Sequence, residues 1–260
     1  MYQLSRIESQ AVTFFPERQD EVMISRSLFG NDPARPSTAQ TAQSFCEKYR
    51  PMKISEFIGP DRAKTILQKF AANPYSKAWL FVGPTGIRKT SMALALASEV
   101  AAELHHLVPI CTREYIEQVW EECQGFPNSE CKRHLILVDD VDGITKTALN
   151  TLIAKLDARD NARNIIWAFT CIEAEKLGRR FVSFCGEIKF SSYGIAKEAA
   201  ALLERVWQAE SGPATALTPN FARIVKEGNN DVRAALNTIE MELMTKKERM
   251  PMTVNNSLPE

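Results

Sequence analysis

The chain has no net charge, no long apolar run and no closely spaced pair of cysteines. Its 32 Lys and Arg residues balance 32 Asp and Glu residues over 260 positions, so nucleic-acid binding requires a local basic face rather than a positive field over the whole protein. No stretch approaches the ~20 consecutive apolar residues of a membrane span, and the first residues lack the apolar run of a signal peptide. We therefore expect a cytoplasmic protein that contacts no membrane.

The six cysteines include no CxxC pair, which in a reducing compartment favours free, buried thiols over disulfides. One set of candidate metal ligands consists of Cys111, Cys123, Cys131 and His134. Their spacing matches no standard zinc pattern, and His134 begins an apolar run that is typical of a buried strand. The sequence therefore gives a zinc site little support.

With 45% hydrophobic and 25% charged residues, the composition is that of an ordinary globular protein. Residues 1–44 are polar, and Asn31 to Ser44 is rich in Pro, Ser, Thr and Ala, which predicts a partly disordered extension. We expect a core domain over residues 45–190, a helical domain over 191–247 and a tail over 248–260.

Short apolar runs alternate with helical patterns through the predicted core. The predicted strands are Ala78 to Val82, Leu104 to Ile110, His134 to Val138, Ile165 to Thr170 and Glu187 to Phe190. Helices are predicted at Pro60 to Ala72, Thr90 to Leu104, Lys146 to Leu156 and Glu173 to Leu177, with another around Ile116 to Trp120. This alternation predicts an α/β fold with a parallel sheet covered on both faces. Beyond Phe190 only helical patterns remain, at Ala196 to Ala209, Asn220 to Glu227 and Asp231 to Met244.

The stretch GPTGIRKT, Gly83 to Thr90, follows a predicted strand and begins a predicted helix, the context of a phosphate-binding loop. In such a loop backbone N–H groups hold phosphates, the lysine reaches the β- and γ-phosphates, and the hydroxyl binds Mg²⁺. Lys89 and Thr90 suit these roles. Arg88 occupies the position of the usual last glycine, where it either strains the loop or adds a contact to phosphate.

The stretch HLILVDDVDG, His134 to Gly143, is an apolar strand that ends in carboxylates. This pattern predicts that Asp139 binds Mg²⁺ together with Thr90, and that Asp140 polarises the attacking water. The simpler alternative is a strand that ends in a polar turn.

Together the two motifs resemble the AAA+ ATPases. The stretch KYRP, Lys48 to Pro51, followed by ISEFIGPDRAKTIL, resembles the start of clamp-loader subunits of the replication factor C small-subunit and bacterial DNA polymerase III γ/δ′ kind. Four further matches follow in order: ALNTLIAKLD, IIWAFTC, FVSFCGEIKF and NNDVRAALNTIE. The resemblance covers Phe45 to Met244 and implies a P-loop NTPase core with a helical lid, without the family's collar domain.

The resemblance implies an ATP and Mg²⁺ site. It assigns the adenine side to Tyr49, Arg50, Pro51, Ile58 and Gly59, the phosphate loop to Gly83, Pro84, Thr85, Gly86, Ile87, Arg88, Lys89, Thr90 and Ser91, and γ-phosphate sensing to Arg233. The implied catalytic set is Lys89, Asp139, Asp140 and Arg233, with Thr90 and Asp139 as metal ligands.

Four positions depart from the family pattern: Arg88, Asp140 for glutamate, Ile172 for a polar sensor, and Phe184 for the arginine that reaches the neighbouring subunit. Isoleucine forms no side-chain hydrogen bond, and phenylalanine cannot act as an arginine finger. Arg179 and Arg180 are candidate substitutes for that arginine. The departures predict that nucleotide binding is retained and that hydrolysis is weak or depends on partners.

The resemblance thus predicts an ATPase subunit that couples ATP binding and hydrolysis to DNA replication or repair. The alternatives are a hydrolysis-deficient scaffold or regulatory subunit of an AAA+ ring, and a motor that acts on other DNA structures. The implied partners are other AAA+ subunits and DNA, bound independently of sequence through Arg113, Lys146 and Lys155. A sliding clamp is a further candidate, because Ser25 to Phe29 ends in Leu-Phe, although local anchoring explains that pair more simply.

Overall fold

A computed structural model describes residues 43–59, 61–108, 112–127, 130–158, 164–211 and 218–248, with side chains up to residue 245. All of them lie in one compact unit, Ala42–Glu260. The Leu-Phe segment, Ser25 to Phe29, lies outside the described residues, as does Cys111. Among the helices of these ranges none has both the length and the apolar character to span a bilayer.

Five parallel strands form one sheet: β1 Lys77–Val82, β2 Ala102–Leu107, β3 Arg133–Val138, β4 Ile165–Cys171 and β5 Cys185–Lys189. Their order across the sheet is β2-β3-β4-β1-β5. Every residue of β4 is buried, as expected for an inner strand of a sheet with helices on both faces. The predicted α/β parallel-sheet fold is therefore confirmed.

Nine helices accompany the strands in the described ranges: α1 Phe45–Lys48, α2 Asp61–Ala72, α3 Lys89–Glu99, α4 Arg113–Glu122, α5 Lys146–Asp157, α6 Gly178–Phe184, α7 Ala196–Ser211, α8 Phe221–Glu227 and α9 Val232–Glu248. Short 3₁₀ turns lie at Ile54–Glu56, Val141–Gly143 and Ala174–Leu177. Side-chain oxygens of Thr112, Thr145 and Asn220 each accept a hydrogen bond from the amide of the third residue of α4, α5 and α8. These bonds satisfy donors that the start of a helix leaves unpaired.

Two apolar clusters cover the faces of the sheet. One includes Ile136, Trp167 and Phe169 with residues of α4 and α5, and the other includes Leu135, Phe81 and the alanine-rich helix α3. A third cluster joins α7, α8 and α9 around Trp207. Side chains of Phe45, Tyr49 and Ile58 pack against this third cluster, so the segment that precedes the sheet contacts the C-terminal helices.

Three predicted elements differ from the structure in their bounds or type. Helix α3 ends at Glu99 rather than Leu104, because Ala101 adopts a positive φ of 49° and its carbonyl accepts from Lys132 at the start of the β2–β3 pairing. Strand β2 accordingly begins at Ala102 rather than Leu104 and ends at Leu107. The predicted helix at Glu173 to Leu177 is a 3₁₀ turn, and α6 follows it. Sequence reasoning missed α6 and α1.

Candidate nucleotide site

The loop Gly83 to Arg88 connects the carboxyl end of β1 to the start of α3. Lys89, the first residue of α3, is 7% exposed. Its ammonium donates to the loop carbonyls of Gly83, at 2.9 Å, and Pro84, at 2.8 Å. Burial lowers the pKa of Lys89, while the charges of Asp140 and Asp139 act in the opposite direction. The loop therefore holds a buried cation close to two carboxylates.

A hydroxyl network joins this loop to the ends of β3 and β4. Thr90 Oγ1 donates to Asp139 Oδ1 at 2.8 Å, and Thr170 Oγ1 donates to the same oxygen. The Thr170 hydroxyl also accepts from the backbone amide of Asp140 at 2.9 Å. Since Val138 pairs with Phe169 in the sheet, the residues that follow them, Asp139 and Thr170, lie side by side. Thr90 and Asp139, the predicted metal ligands, are thus brought together.

Asp140 follows with a left-handed backbone, φ 47° and ψ 50°. Its side chain is exposed. Partial desolvation by neighbouring groups still raises the pKa of Asp140, and the charges of Asp139 and Asp142 add to the rise, whereas Lys89 and Arg233 oppose it. Asp142 accepts from the amides of Ile172, at 3.1 Å, and Glu173. Asp142 therefore fixes the turn after β4.

Arg88 has φ 66° and ψ 34°, the left-handed conformation for which glycine is the preferred residue. Its Nη1 donates to the carbonyl of Tyr49 at 3.1 Å. Burial lowers the pKa of Arg88, and the charges of Arg50 and Arg233 act in the same direction. Arg88 thus ties the phosphate loop to the KYRP stretch and lies in a group of three arginines that favours an anion.

The predicted adenine-side residues lie around the hydrogen bond between Arg88 and Tyr49. A cavity of about 10 Å³ lies among eight residues, Phe57, Ile58, Ile87, Arg88, Phe190, Ser191, Ile195 and Val232. The Tyr49 hydroxyl donates to Glu210 of α7. Burial, together with this bond and the charge of Glu210, raises the pKa of Tyr49 to about 12. The Gly59 amide donates to Glu198 at 3.0 Å. Pro51 is buried and Arg50 half-buried.

Asp231, the residue before α9, contacts the phosphate loop at Gly86. A β-carbon added to Gly86, whose φ is 73°, would lie 1.9 Å from the Asp231 carboxyl group, so the carboxylate occupies the space that a larger residue would need. Asp231 Oδ1 also accepts from the Ala234 amide at 2.9 Å and caps α9. Arg233 is exposed on α9, and its charge acts on Asp140.

The remaining predicted residues do not all lie at this edge, since Phe184 precedes β5, whose first residue pairs with Ala78 near the start of β1. Pro84 and Thr85 are exposed, Ser91 is half-buried, and Ile172 is 42% exposed. Phe184 packs against the core cluster of α4 and α5. Arg180 pairs with Asp157 at 3.3 Å, and Arg179 is exposed.

Sequence reasoning missed three residues of the site. The sequence predicts Thr170 only as the last residue of a strand, although a hydroxyl at the end of a buried strand is a usable signal. Asp231 carried a weaker one, as a candidate helix cap. Glu210 had no local signal, since only folding brings it to Tyr49 and Lys48.

A separate open groove of about 510 Å³ lies between α4 and α5. Its lining includes Arg113, Trp120, Thr151 and Lys155. The Lys155 ammonium lies 5.6 Å from the centre of the Trp120 ring, and Arg113 pairs with Glu117 at 2.9 Å. Of the three predicted DNA contacts, two line this groove, and Lys146 is exposed at the start of α5.

Comparison with known proteins agrees with this geometry. Residues 79–193 match the family described as ATPase family associated with various cellular activities (AAA). The chain is 29% identical to the replication factor C large subunit of Thermococcus kodakarensis. The alignment of 210 residues covers 77% of this chain and 40% of that protein. It is also 24% identical to the replication factor C small subunit of Methanothermobacter thermautotrophicus. That alignment of 157 residues covers 55% of this chain and 46% of that protein.

Among solved structures, RuvB of Thermotoga maritima, described as a Holliday junction branch migration motor, has the same fold. The TM-score is 0.60 at 16% identity, over 76% of this chain and 67% of that one. The chain thus has the P-loop fold of the AAA+ ATPases, and the AAA family model matches its residues 79–193. Its sequence relatives are replication factor C subunits, consistent with the clamp-loader family, and the chain spans less than half the length of the two relatives named above.

Proposed function

We propose that the chain is an ATP-binding subunit of the clamp-loader kind that works with Mg²⁺ and with other AAA+ subunits on DNA. The observation that carries this proposal is the joining of Lys89, Thr90, Asp139 and Thr170 at the carboxyl ends of β1, β3 and β4. Ligands of open α/β sheets bind at this edge. The hydroxyl and carboxylate oxygens are those that Mg²⁺ prefers.

In this proposal the phosphate loop, residues 83–91, holds the phosphates of ATP, and Lys89 leaves its loop carbonyls to contact them. Thr90 and Asp139 share the metal ion. Arg50, Arg88 and Arg233 form a positive rim, with Arg233 facing the end of the phosphate chain. Tyr49, Pro51, Ile58 and Gly59 bound the adenine side. We also propose that residues 191–247 act as a lid on the core, residues 45–190.

For the reaction, we propose hydrolysis of ATP to ADP and phosphate with Asp140 orienting the water, at a low rate in the isolated chain. Aspartate is one methylene shorter than glutamate, so its carboxylate lies about 1.5 Å further back, and a base must be within hydrogen-bond reach of its water. Ile172 offers no polar side chain, and Phe184 is packed in the core and offers no cation to a neighbour. A scaffold subunit that binds ATP without turnover is the second candidate.

Two observations support contact with DNA. The groove between α4 and α5 offers Arg113 and Lys155 next to the polar side chains of Thr147, Asn150 and Thr151. Such a surface suits phosphate contacts that are independent of base sequence and weaken as salt rises. The replication factor C relatives support DNA and a sliding clamp as partners of the complete assembly. The RuvB likeness keeps a motor on other DNA structures as a third candidate.

The test is ATP binding and turnover by the purified protein with Mg²⁺, with and without primed DNA and partner subunits. We expect Lys89→Ala to abolish ATP binding, and the double variant Arg113→Ala with Lys155→Ala to retain it while losing any stimulation by DNA. Binding without turnover in every condition would select the scaffold candidate. Failure of the unaltered protein to bind ATP would exclude both candidates and leave GPTGIRKT without a nucleotide role.

A further inference from the structure

Two histidines and a cysteine meet at the opposite end of the sheet from the phosphate loop. His105 lies on β2, a strand at the edge of the sheet, and His134 is the second residue of β3. In the register of the two strands Glu103 pairs with His134 and His105 pairs with Ile136, so all four side chains share one face. Cys123 follows the last residue of α4, the helix that covers this face.

The three ligand atoms lie within 4.8 Å of one another. His105 Nε2 and His134 Nδ1 are 3.1 Å apart. Two imidazole nitrogens bound to one tetrahedral zinc ion, with bonds of about 2.0–2.1 Å, are separated by about 3.4 Å. A metal ion can therefore enter between these two nitrogens with side-chain shifts of a few tenths of an ångström.

Hydrogen bonding fixes the tautomer of His134. Its Nε2 lies 3.2 Å from the carbonyl of Gly125, which only accepts, so Nε2 carries a proton and the neutral ring presents the lone pair of Nδ1 to His105 Nε2. A second bond of this kind orients the histidine ligands of metal sites in general. His134 is 2% exposed, so its ring has little freedom to turn away.

A fourth donor is close. A Glu103 carboxylate oxygen lies 3.5 Å from His134 Nδ1, on the same side as His105. Two imidazoles, one thiolate and one carboxylate form a mixed donor set that suits zinc, and cobalt as its spectroscopic substitute. Hard cations such as Mg²⁺ and Ca²⁺ prefer oxygen ligands alone.

We propose that His105, Cys123 and His134 bind a zinc ion, with Glu103 or water as the fourth ligand, and that the ion fastens the end of α4 to the edge of the sheet. This ligand set shares only Cys123 and His134 with the set that the cysteine spacing suggested. Folding supplies His105, which lies 18 residues before Cys123 in the sequence. The competing explanation is a buried histidine pair held by its own hydrogen bonds.

The experiment uses the full chain, free of any affinity tag, stripped of metal and kept reduced, and titrates it with Co²⁺. We expect a thiolate-to-cobalt charge-transfer band with visible bands typical of tetrahedral Co²⁺, both removed by one equivalent of Zn²⁺. Cys123→Ser should remove the charge-transfer band. His105→Gln should weaken cobalt binding by about 10-fold or more, the range found when metal-site residues are altered.

Three control variants complete the design. Cys185→Ser removes a thiol outside the cluster, and Lys89→Ala alters the candidate nucleotide site, so both should leave the cobalt spectrum unchanged. Cys131→Ser should also leave it unchanged, and loss of the band in that variant would overturn the ligand set. Absence of the bands in the unaltered protein, or their survival in both Cys123→Ser and His105→Gln, would overturn the site. If Cys123→Ser fails to fold, the half-buried His105→Gln decides.

Discussion

At the scale of single residues, one hydroxyl holds the acidic edge of the candidate site together. Thr170 is fully buried, donates to Asp139 and accepts from the amide of Asp140. A buried group that loses its partner costs about 1–3 kcal/mol. Thr170 therefore sets both the stability of this edge and the orientation of the proposed metal ligand.

We expect Thr170→Val, which keeps the shape and removes the hydroxyl, to lower the free energy of unfolding by about 1–3 kcal/mol. It should also weaken the Mg²⁺-dependent part of ATP affinity, because Asp139 loses a bond that orients it. Urea denaturation and ATP titration with and without Mg²⁺ measure the two effects. Thr65→Val is the control, since that exposed hydroxyl bonds only to Asp61 of its own helix.

Arg88 tests the backbone of the phosphate loop. At its left-handed φ of 66° glycine is favoured over a residue with a β-carbon by about 1–2 kcal/mol. Both Arg88→Gly and Arg88→Ala lose the bond to Tyr49, so the difference between them reports the backbone strain. We expect the glycine variant to be the more stable by about 1 kcal/mol. Equal stability of the two variants would show that residue 88 does not hold this conformation in solution.

At the scale of elements, the KYRP stretch and α9 both connect the phosphate loop to the C-terminal helices. Tyr49 accepts from Arg88 with its carbonyl and donates to Glu210 of α7 with its hydroxyl, while Asp231 lies against Gly86. A movement of the loop would therefore disturb its contacts with α7 and with the start of α9. These contacts support the proposal that the C-terminal helices act as a lid.

The Asp231 side chain caps the start of α9 and places a carboxylate beside the phosphate loop. Substitutions at this position can separate the two effects. Asn at a helix N-cap is as favourable as Asp, whereas Ala costs about 1 kcal/mol. Asp231→Asn should keep the stability and tighten ATP binding by about 3- to 10-fold, since it removes a negative charge beside the phosphate loop. Asp231→Ala should lose stability by about 1 kcal/mol. ATP binding weaker in the Asn variant than in the unaltered protein would contradict the placement of this carboxylate.

At the scale of the whole molecule, buried thiols in separate elements make stability depend on alkaline pH. Burial raises the pKa of Cys171 and Cys185 to about 12, from an ordinary value of 9.0. A folded-state pKa above the unfolded value stabilises the protein fully below pH 9. That contribution is lost as pH rises from about 9 to about 12, because the unfolded chain releases its protons first.

Cys171→Ala isolates one of these contributions. Cys171 is fully buried, so the cavity cost of the substitution is the same at every pH. Between pH 8 and pH 10.5 we expect the unaltered protein to lose about 2 kcal/mol more stability than the variant. Urea midpoints at the two pH values measure this difference, and Thr151→Ala is a control that carries no titrating group. A difference that does not change with pH would refute the thiol as its source.

Features that depend on a few neighbouring residues are predictable from the sequence, and features that depend on distant residues are not. Strand and helix patterns are local, so the sequence correctly predicts the parallel α/β sheet, the loop between β1 and α3 and the C-terminal helices. The end of α3 was predicted wrongly, because apolar residues continue into β2 and only the pairing with β3 shows where the helix ends. The predicted roles of Lys89, Asp139 and Arg233 stay predictions, although folding gathers the first two.

The sequence by itself determined the order of strands and helices and the chemistry placed at the end of each strand, because side-chain periodicity and turn residues act over a few positions. The tertiary structure alone decided which distant groups meet. It set Thr170 beside Asp139 through the register of β3 and β4, Asp231 against Gly86, and His105 next to His134 and Cys123. Such contacts arise from sheet order and helix packing, which depend on burying apolar surface across the whole chain rather than on any local pattern.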